Sequence, residues 1–123
     1  MIDRALQLAW AAGFIDGEGF IGLTRVWDKV RKYYMYRIQV DASQVHEAPI
    51  RHLATLFGVG KVAFRTNARR GCWNWRIMGP AAIPVLQELL PYLRVKDKQA
   101  LLVIEFETST KRDSGGKWKP VPE

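Results

Sequence analysis

Ala11-Ala12-Gly13-Phe14-Ile15-Asp16-Gly17-Glu18-Gly19 is the stretch on which the fold turns. It joins small residues to two carboxylates at the expected end of a helix. Upstream, Leu6, Trp10 and Phe14 recur at helical spacing, as do Ala9, Ala12, Gly13 and Asp16, and Asp3 suits the N-cap. The pattern predicts a helix over about residues 4–16 that stops in a Gly17-Glu18-Gly19 turn. Ala9, Ala12 and Gly13 fall on one face, where the lack of side-chain bulk lets a second helix approach closely. A carboxylate at the base of two such helices lies where a divalent cation and a phosphate can meet. The same letters also fit an amphipathic helix followed by a Gly-rich turn, so the flanking sequence has to decide.

Downstream, residues 20–27 are rich in β-formers and read as a strand, residues 28–32 as a charged turn, and residues 33–42 as a second strand. In the second strand Tyr34, Tyr36, Ile38, Val40 and Ala42 share one face, and Met35, Arg37, Gln39, Asp41 and Ser43 share the other. One side is therefore buried and the other wet. Pro49 suits the first turn of a second helix with the apolar stripe Ile50, Leu53, Leu56 and Phe57, ended by Gly58. A third strand follows over residues 61–66, a loop with Arg69 and Arg70, and a fourth strand over residues 73–78. Trp73, Trp75 and Ile77 face one way there, Asn74 and Arg76 the other. A third helix lies between Pro80 and Leu90, its regular part starting near Pro84, and a fourth covers about residues 96–106. The order defines an α+β fold, α-β-β-α-β-β-α, with a four-stranded antiparallel sheet and its helices on one face. Residues 1–108 form the expected domain, and the Ser/Thr/Lys/Gly/Pro-rich residues 109–123 read as a flexible basic tail.

The 123 residues suffice for one core, and 48% hydrophobic content excludes wholesale disorder. A net charge of +7, from 19 Lys and Arg against 12 Asp and Glu, suits a polyanionic partner, either nucleic acid or an anionic membrane surface. The single cysteine, Cys72, excludes an intrachain disulfide framework, and His46 and His52 form no pattern for a catalytic thiol. The sequence has no apolar run long enough to span a membrane, and its start opens directly into the helical pattern, so the expected setting is intracellular.

The opening stretch resembles the L-A-G-L-I-D-A-D-G signature of the LAGLIDADG homing endonucleases. Ala12, Gly13, Ile15, Asp16 and Gly19 match it, while Ala11, Phe14, Gly17 and Glu18 stand for Leu, Leu, Ala and Asp. Glu18 still supplies a carboxylate. Two further matches follow in order. Gln44, at the end of the second strand, falls on a polar strand-end position of the family, and Lys96, within residues 90–100, falls on its active-site lysine. The resemblance covers roughly residues 6–107, and the signature occurs once.

The resemblance implies a magnesium-dependent DNA endonuclease, with Mn2+ or Ca2+ able to occupy the same site. It would make a staggered double-strand break in a long pseudo-palindromic site. Hydrolysis of a phosphodiester needs an activated water and charge relief on the leaving oxygen, which divalent cations supply. Glu18 is the expected metal ligand, with the Gly17 carbonyl a weaker one. Gln44 would orient a water, and Lys96 would stabilise the pentacoordinate phosphate or polarise a water. Members with one signature pair as homodimers, which makes Ala9, Ala12, Gly13 and Asp16 the expected dimer interface. The sheet would then lie in the major groove of double-stranded DNA. By strand parity Thr24, Arg37, Gln39, Asp41, Lys61, Arg65, Asn74 and Arg76 would face the bases. Lys29, Arg31, Lys32, Arg69 and Arg70, in turns, would hold phosphates. A non-cleaving module of the same fold, an RNA maturase or a transcriptional regulator, is the alternative. Intact Glu18, Gln44 and Lys96 favour the enzyme.

Overall fold

In the computed structural model, which describes residues 3–66 and 70–109, the first helix does not stop at Asp16. α1 (Arg4–Glu18) keeps its geometry through Gly17 and Glu18. The Gly19 N–H still bonds the Ile15 carbonyl, but Gly19 is itself extended and begins β1 (Gly19–Asp28). The expected turn is therefore absent, and helix passes straight into strand. Only glycine fits at this junction. A Cβ on Gly19 would sit 2.7 Å from the Asp41 carbonyl oxygen and 2.9 Å from that of Ile15.

β2 (Tyr33–Gln44) pairs antiparallel with β1 over the whole length of β1, from Gly19↔Ala42 to Asp28↔Tyr33. Asp28 closes the hairpin, its carboxylate accepting from the Val30 and Arg31 N–H groups. α2 (Glu47–Phe57) carries Pro49 in its first turn, where the missing N–H has no partner to lose, and ends on Gly58 with a left-handed φ of 68°. β3 (Lys61–Thr66) and β4 (Gly71–Met78) follow. β4 starts two residues earlier than the sequence suggests, because Gly71 and Cys72 find ladder partners in Thr66 and Arg65. α3 (Ala82–Leu89) likewise begins ahead of Pro84, which occupies the first turn harmlessly. After a 3-10 turn at Leu90–Tyr92, α4 (Asp97–Ser109) completes the order. Arg69 and the expected tail beyond Ser109 lie outside the described residues.

The four strands form one antiparallel sheet in the order β1-β2-β4-β3. Ile21, Ile38, Val40, Ala42, Trp75 and Ile77 bury one face of it. Against them pack Leu8, Ala11, Ala12 and Ile15 of α1, Ile50 and Leu53 of α2, Val85, Leu86 and Leu89 of α3, and Ala100 and Val103 of α4. Fully burying one such aliphatic side chain contributes about 1.5–3 kcal/mol, so this layer dominates the stability of the fold. Trp75 anchors it, with its ring stacked on Phe57 and its Nε1–H donating to the Val59 carbonyl at 2.9 Å. The expected alternation holds. Odd positions of β2 face away from the helices, and the opposite sheet face is left open for a partner.

Candidate nucleic-acid and metal site

The last turn of α1 is the negative end of a helix macrodipole, and α1 has no basic residue of its own there. Yet it carries Asp16 and Glu18. The structure treats the two carboxylates differently. Asp16 reaches across to the segment before α4. One of its oxygens accepts from the Arg94 N–H at 2.7 Å, and the other accepts from the Val95 and Lys96 N–H groups at 3.2 and 2.9 Å. Burial pushes this carboxyl upward, but the N–H donors of Arg94, Lys96 and Val95, with the charge of Lys96, outweigh it and hold it below the usual carboxylate range. The Lys96 ammonium donates to the Asp16 carbonyl at 2.6 Å, so it caps the helix end. Asp16 is thus committed to joining α1 to α4, and a cation would have to share its oxygens with those three N–H groups.

Glu18, the last residue of α1, is exposed. A carboxylate here is unfavourable for the helix and favourable for a bound cation. Gly17 is exposed beside it. Gln44 ends β2, two residues past the Gly19↔Ala42 pairing, at the same end of the sheet as the α1–β1 junction. Its Oε1 accepts from the Val45 N–H at 2.8 Å. The candidate catalytic set therefore comes from three distant parts of the chain, with Lys96 bonded at Asp16, two residues before Glu18. Among the described residues no group of three or more His, Cys, Asp or Glu side chains gathers as a closed metal cage.

Of the residues expected to face DNA, Arg37, Lys61 and Arg65 are exposed, and Thr24, Gln39, Asp41 and Arg76 half-buried on the open face. Asn74 departs from expectation. It lies on that face but is only 2% exposed, because its amide donates to Ser43 Oγ and the Ala42 carbonyl and its oxygen accepts from Arg65 Nε. The turn residues Lys29, Arg31, Lys32 and Arg70 are exposed. Ten residues of β1 at about 3.3 Å each give a ribbon of roughly 33 Å, the length of about one turn of B-DNA.

The expected small face of α1 is split by the structure. Ala9 and Gly13 are exposed, whereas Ala12 is fully buried in the chain's own core and so cannot present itself to a partner. The exposed stripe runs instead through Leu6 (66%), Ala9, Trp10 (39%), Gly13 and Gly17. A Cβ on Gly13 would meet nothing within 4 Å, so nothing in the described chain requires a glycine there. The clamp of Asp16 on residues 94–96 has no sequence signal, since its partners lie 78–80 positions away.

The fold and this junction are those of one family. The family model described as LAGLIDADG endonuclease matches residues 11–106, and the chain belongs to that family. It is similar to the DNA endonuclease I-CvuI of Chlorella vulgaris, with 34% identity over 108 residues, 82% of this chain and 63% of the relative. The chain thus spans slightly less than two thirds of that relative. A crystal structure of I-CvuI with the I-CreI target in the presence of magnesium superposes with a TM-score of 0.74 at 29% identity, over 84% of this chain and 66% of that one. I-CvuI with its own target in the presence of calcium gives the same TM-score at 28% identity, over 87% of this chain and 72% of that one. The archaeal intron-encoded I-Vdi141I, complexed with DNA, shares the fold at a TM-score of 0.71 and 14% identity, over 85% of this chain and 68% of that one. No helix among the described residues is long and apolar enough to cross a membrane.

Proposed function

We propose that the chain is a site-specific DNA endonuclease that works as a pair of identical subunits and hydrolyses phosphodiesters with a divalent cation, Mg2+ in the first place. The observation that carries this reading is the inequality of the two carboxylates at the end of α1. Asp16 is consumed by three N–H groups of the chain, and Glu18 is left exposed at a negative helix end. The DNA-bound I-CvuI structures with magnesium and with calcium support a nucleic-acid and cation partner for the same fold.

Glu18 and the Gly17 carbonyl would hold the cation. Magnesium accepts so sparse a protein shell because it retains waters and takes phosphate oxygens. When bound it supplies an activated water and charge relief at the scissile phosphate. Gln44 has no titratable proton and orients a water by hydrogen bonding. Lys96, fixed at the helix end by its bond to the Asp16 carbonyl, places positive charge beside the phosphate.

Two copies would meet along the exposed stripe of α1, where Gly13 leaves room for a second backbone. Each Glu18 then comes from one subunit, and a two-fold pair reads a pseudo-palindrome. The open sheet face, with Arg37, Lys61, Arg65 and Arg76, meets base edges in the major groove, and Lys29, Arg31, Lys32 and Arg70 meet phosphates. Incubating the protein with a randomised duplex library and magnesium tests this. The expected result is staggered cleavage of a small subset of sequences, abolished by Glu18→Gln. Sequence-specific binding without scission, or cleavage untouched by Glu18→Gln, would overturn it.

A further inference from the structure

Two chains of side-chain polar contacts cross the open face of the sheet, and each ends at the ε nitrogen of an arginine, by a hydrogen bond at Arg65 and by an ion pair at Arg76. In the first, Thr24 Oγ1 donates to Gln39 Oε1 at 2.6 Å, Gln39 Nε2 donates to Asp41 Oδ2 at 2.5 Å, and the same oxygen lies 3.4 Å from Arg76 Nε. It runs from β1 through β2 to β4. In the second, Asn74 Nδ2 donates to Ser43 Oγ at 2.9 Å, and Asn74 Oδ1 accepts from Arg65 Nε at 3.3 Å. It runs from β2 through β4 to β3. The acceptors lie low and the arginines high. Asn74 is buried, the Asp41 side chain is 15% exposed, and that of Arg76 is 36% exposed although its Nε is enclosed, with no hydrogen-bond partner among the described residues and only the Asp41 charge beside it.

A guanidinium whose Nε is hydrogen-bonded, as in Arg65, or turned toward a carboxylate, as in Arg76, offers its two remaining nitrogens as a parallel fork. That fork matches O6 and N7 of guanine in the major groove. Gln39, by contrast, has its oxygen and one amide hydrogen already engaged, and the Asn74 amide is buried. Neither can place a free bidentate pair on adenine. Resting on the proposed DNA reading, we infer that Arg76 and Arg65 each read one guanine in the half-site, and that Asp41 and Asn74, held in turn by Gln39 and Ser43, are positioning residues that act through them. Four residues that strand parity would treat as independent base readers thus reduce to two readers and their supports.

A binding selection on a randomised duplex library, without added magnesium, tests this on the whole chain and on Asp41→Ala, Asp41→Asn, Asn74→Ala and Arg76→Lys. Wild type should show two guanine preferences per half-site. Asp41→Ala and Arg76→Lys should weaken the same one, by about tenfold, and leave the other alone. Asp41→Asn, which keeps an oxygen toward Nε but removes the charge, should restore only part of it, and Asn74→Ala should weaken only the second preference. A thermal melt of each variant separates loss of fold from loss of reading. A merely structural role for Asp41 would lower affinity evenly across all sequences and would overturn the relay. A direct reader would overturn it too, since Asp41→Ala would then erase a cytosine preference that Arg76→Lys leaves intact. Unchanged profiles against a selective wild type refute the relay alone. A wild type with no sequence preference refutes the endonuclease reading with it.

Discussion

Replacing Asp16 with Asn keeps the size of the side chain and removes its charge. Asn retains one oxygen, which can still serve the Val95 and Lys96 N–H groups. Its amide NH2 now opposes the Arg94 N–H, which loses its 2.7 Å acceptor. A hydrogen bond to a charged group contributes about 1.5–3 kcal/mol, and the two bonds that remain become neutral ones of about 1 kcal/mol. Half-exposure of Asp16 lowers this loss, and relief at the helix end returns about 0.5 kcal/mol. The net loss should be about 2 kcal/mol, or a Tm lower by roughly 8 °C for a domain of this size. The pH dependence has a defined sign. The folded carboxyl is held below its unfolded value of 3.8, so its contribution is complete above that value and disappears as pH falls through the folded one. Urea unfolding of both proteins should therefore give a constant difference from pH 7 to about 5 that shrinks below about 4. A difference under about 0.5 kcal/mol at pH 7, or one that persists undiminished at pH 3, would refute the clamp.

Other substitutions divide folding from function. Gly19→Ala drives a Cβ to 2.7 Å from the Asp41 carbonyl oxygen and should destabilise the fold by about 2 kcal/mol, read in urea. Gly13→Ala meets nothing in the described chain and should raise its stability by about 0.8 kcal/mol, yet weaken self-association at least about tenfold in sedimentation. Glu18→Gln should lower cleavage by about a thousandfold or more while leaving the unfolding midpoint unchanged or slightly raised, because it removes a negative charge from a helix C-terminus.

Much of the fold is legible in the sequence because each element carries its own local signal. The alternation of Ile38, Val40 and Ala42 against Arg37, Gln39 and Asp41 is enough to orient β2. Gly58 and Pro49 mark the ends of α2. What escapes is what depends on distant partners. The helix continues past Asp16 with the Asp16 carbonyl capped by Lys96, eighty positions on. Ala12 looks like part of an open face on the helical wheel, and the sheet beneath decides that it is core. Asn74 has the right strand parity for DNA but is drawn down by Ser43 and Ala42 of the neighbouring strand. Glu18 is legible in the sequence as a candidate carboxylate, by type and position. Why Glu18 remains open while Asp16 does not is a tertiary fact.

In the proposed function two Glu18 side chains, one from each subunit, act on one duplex. Wild-type chains mixed and refolded with Glu18→Gln chains at constant total concentration, on a site recovered from the library, test this through the rate of double-strand breakage. The rate should fall with the square of the wild-type fraction, since only pairs with both carboxylates cut both strands. A linear fall would mean that one chain suffices, and would contradict the paired site.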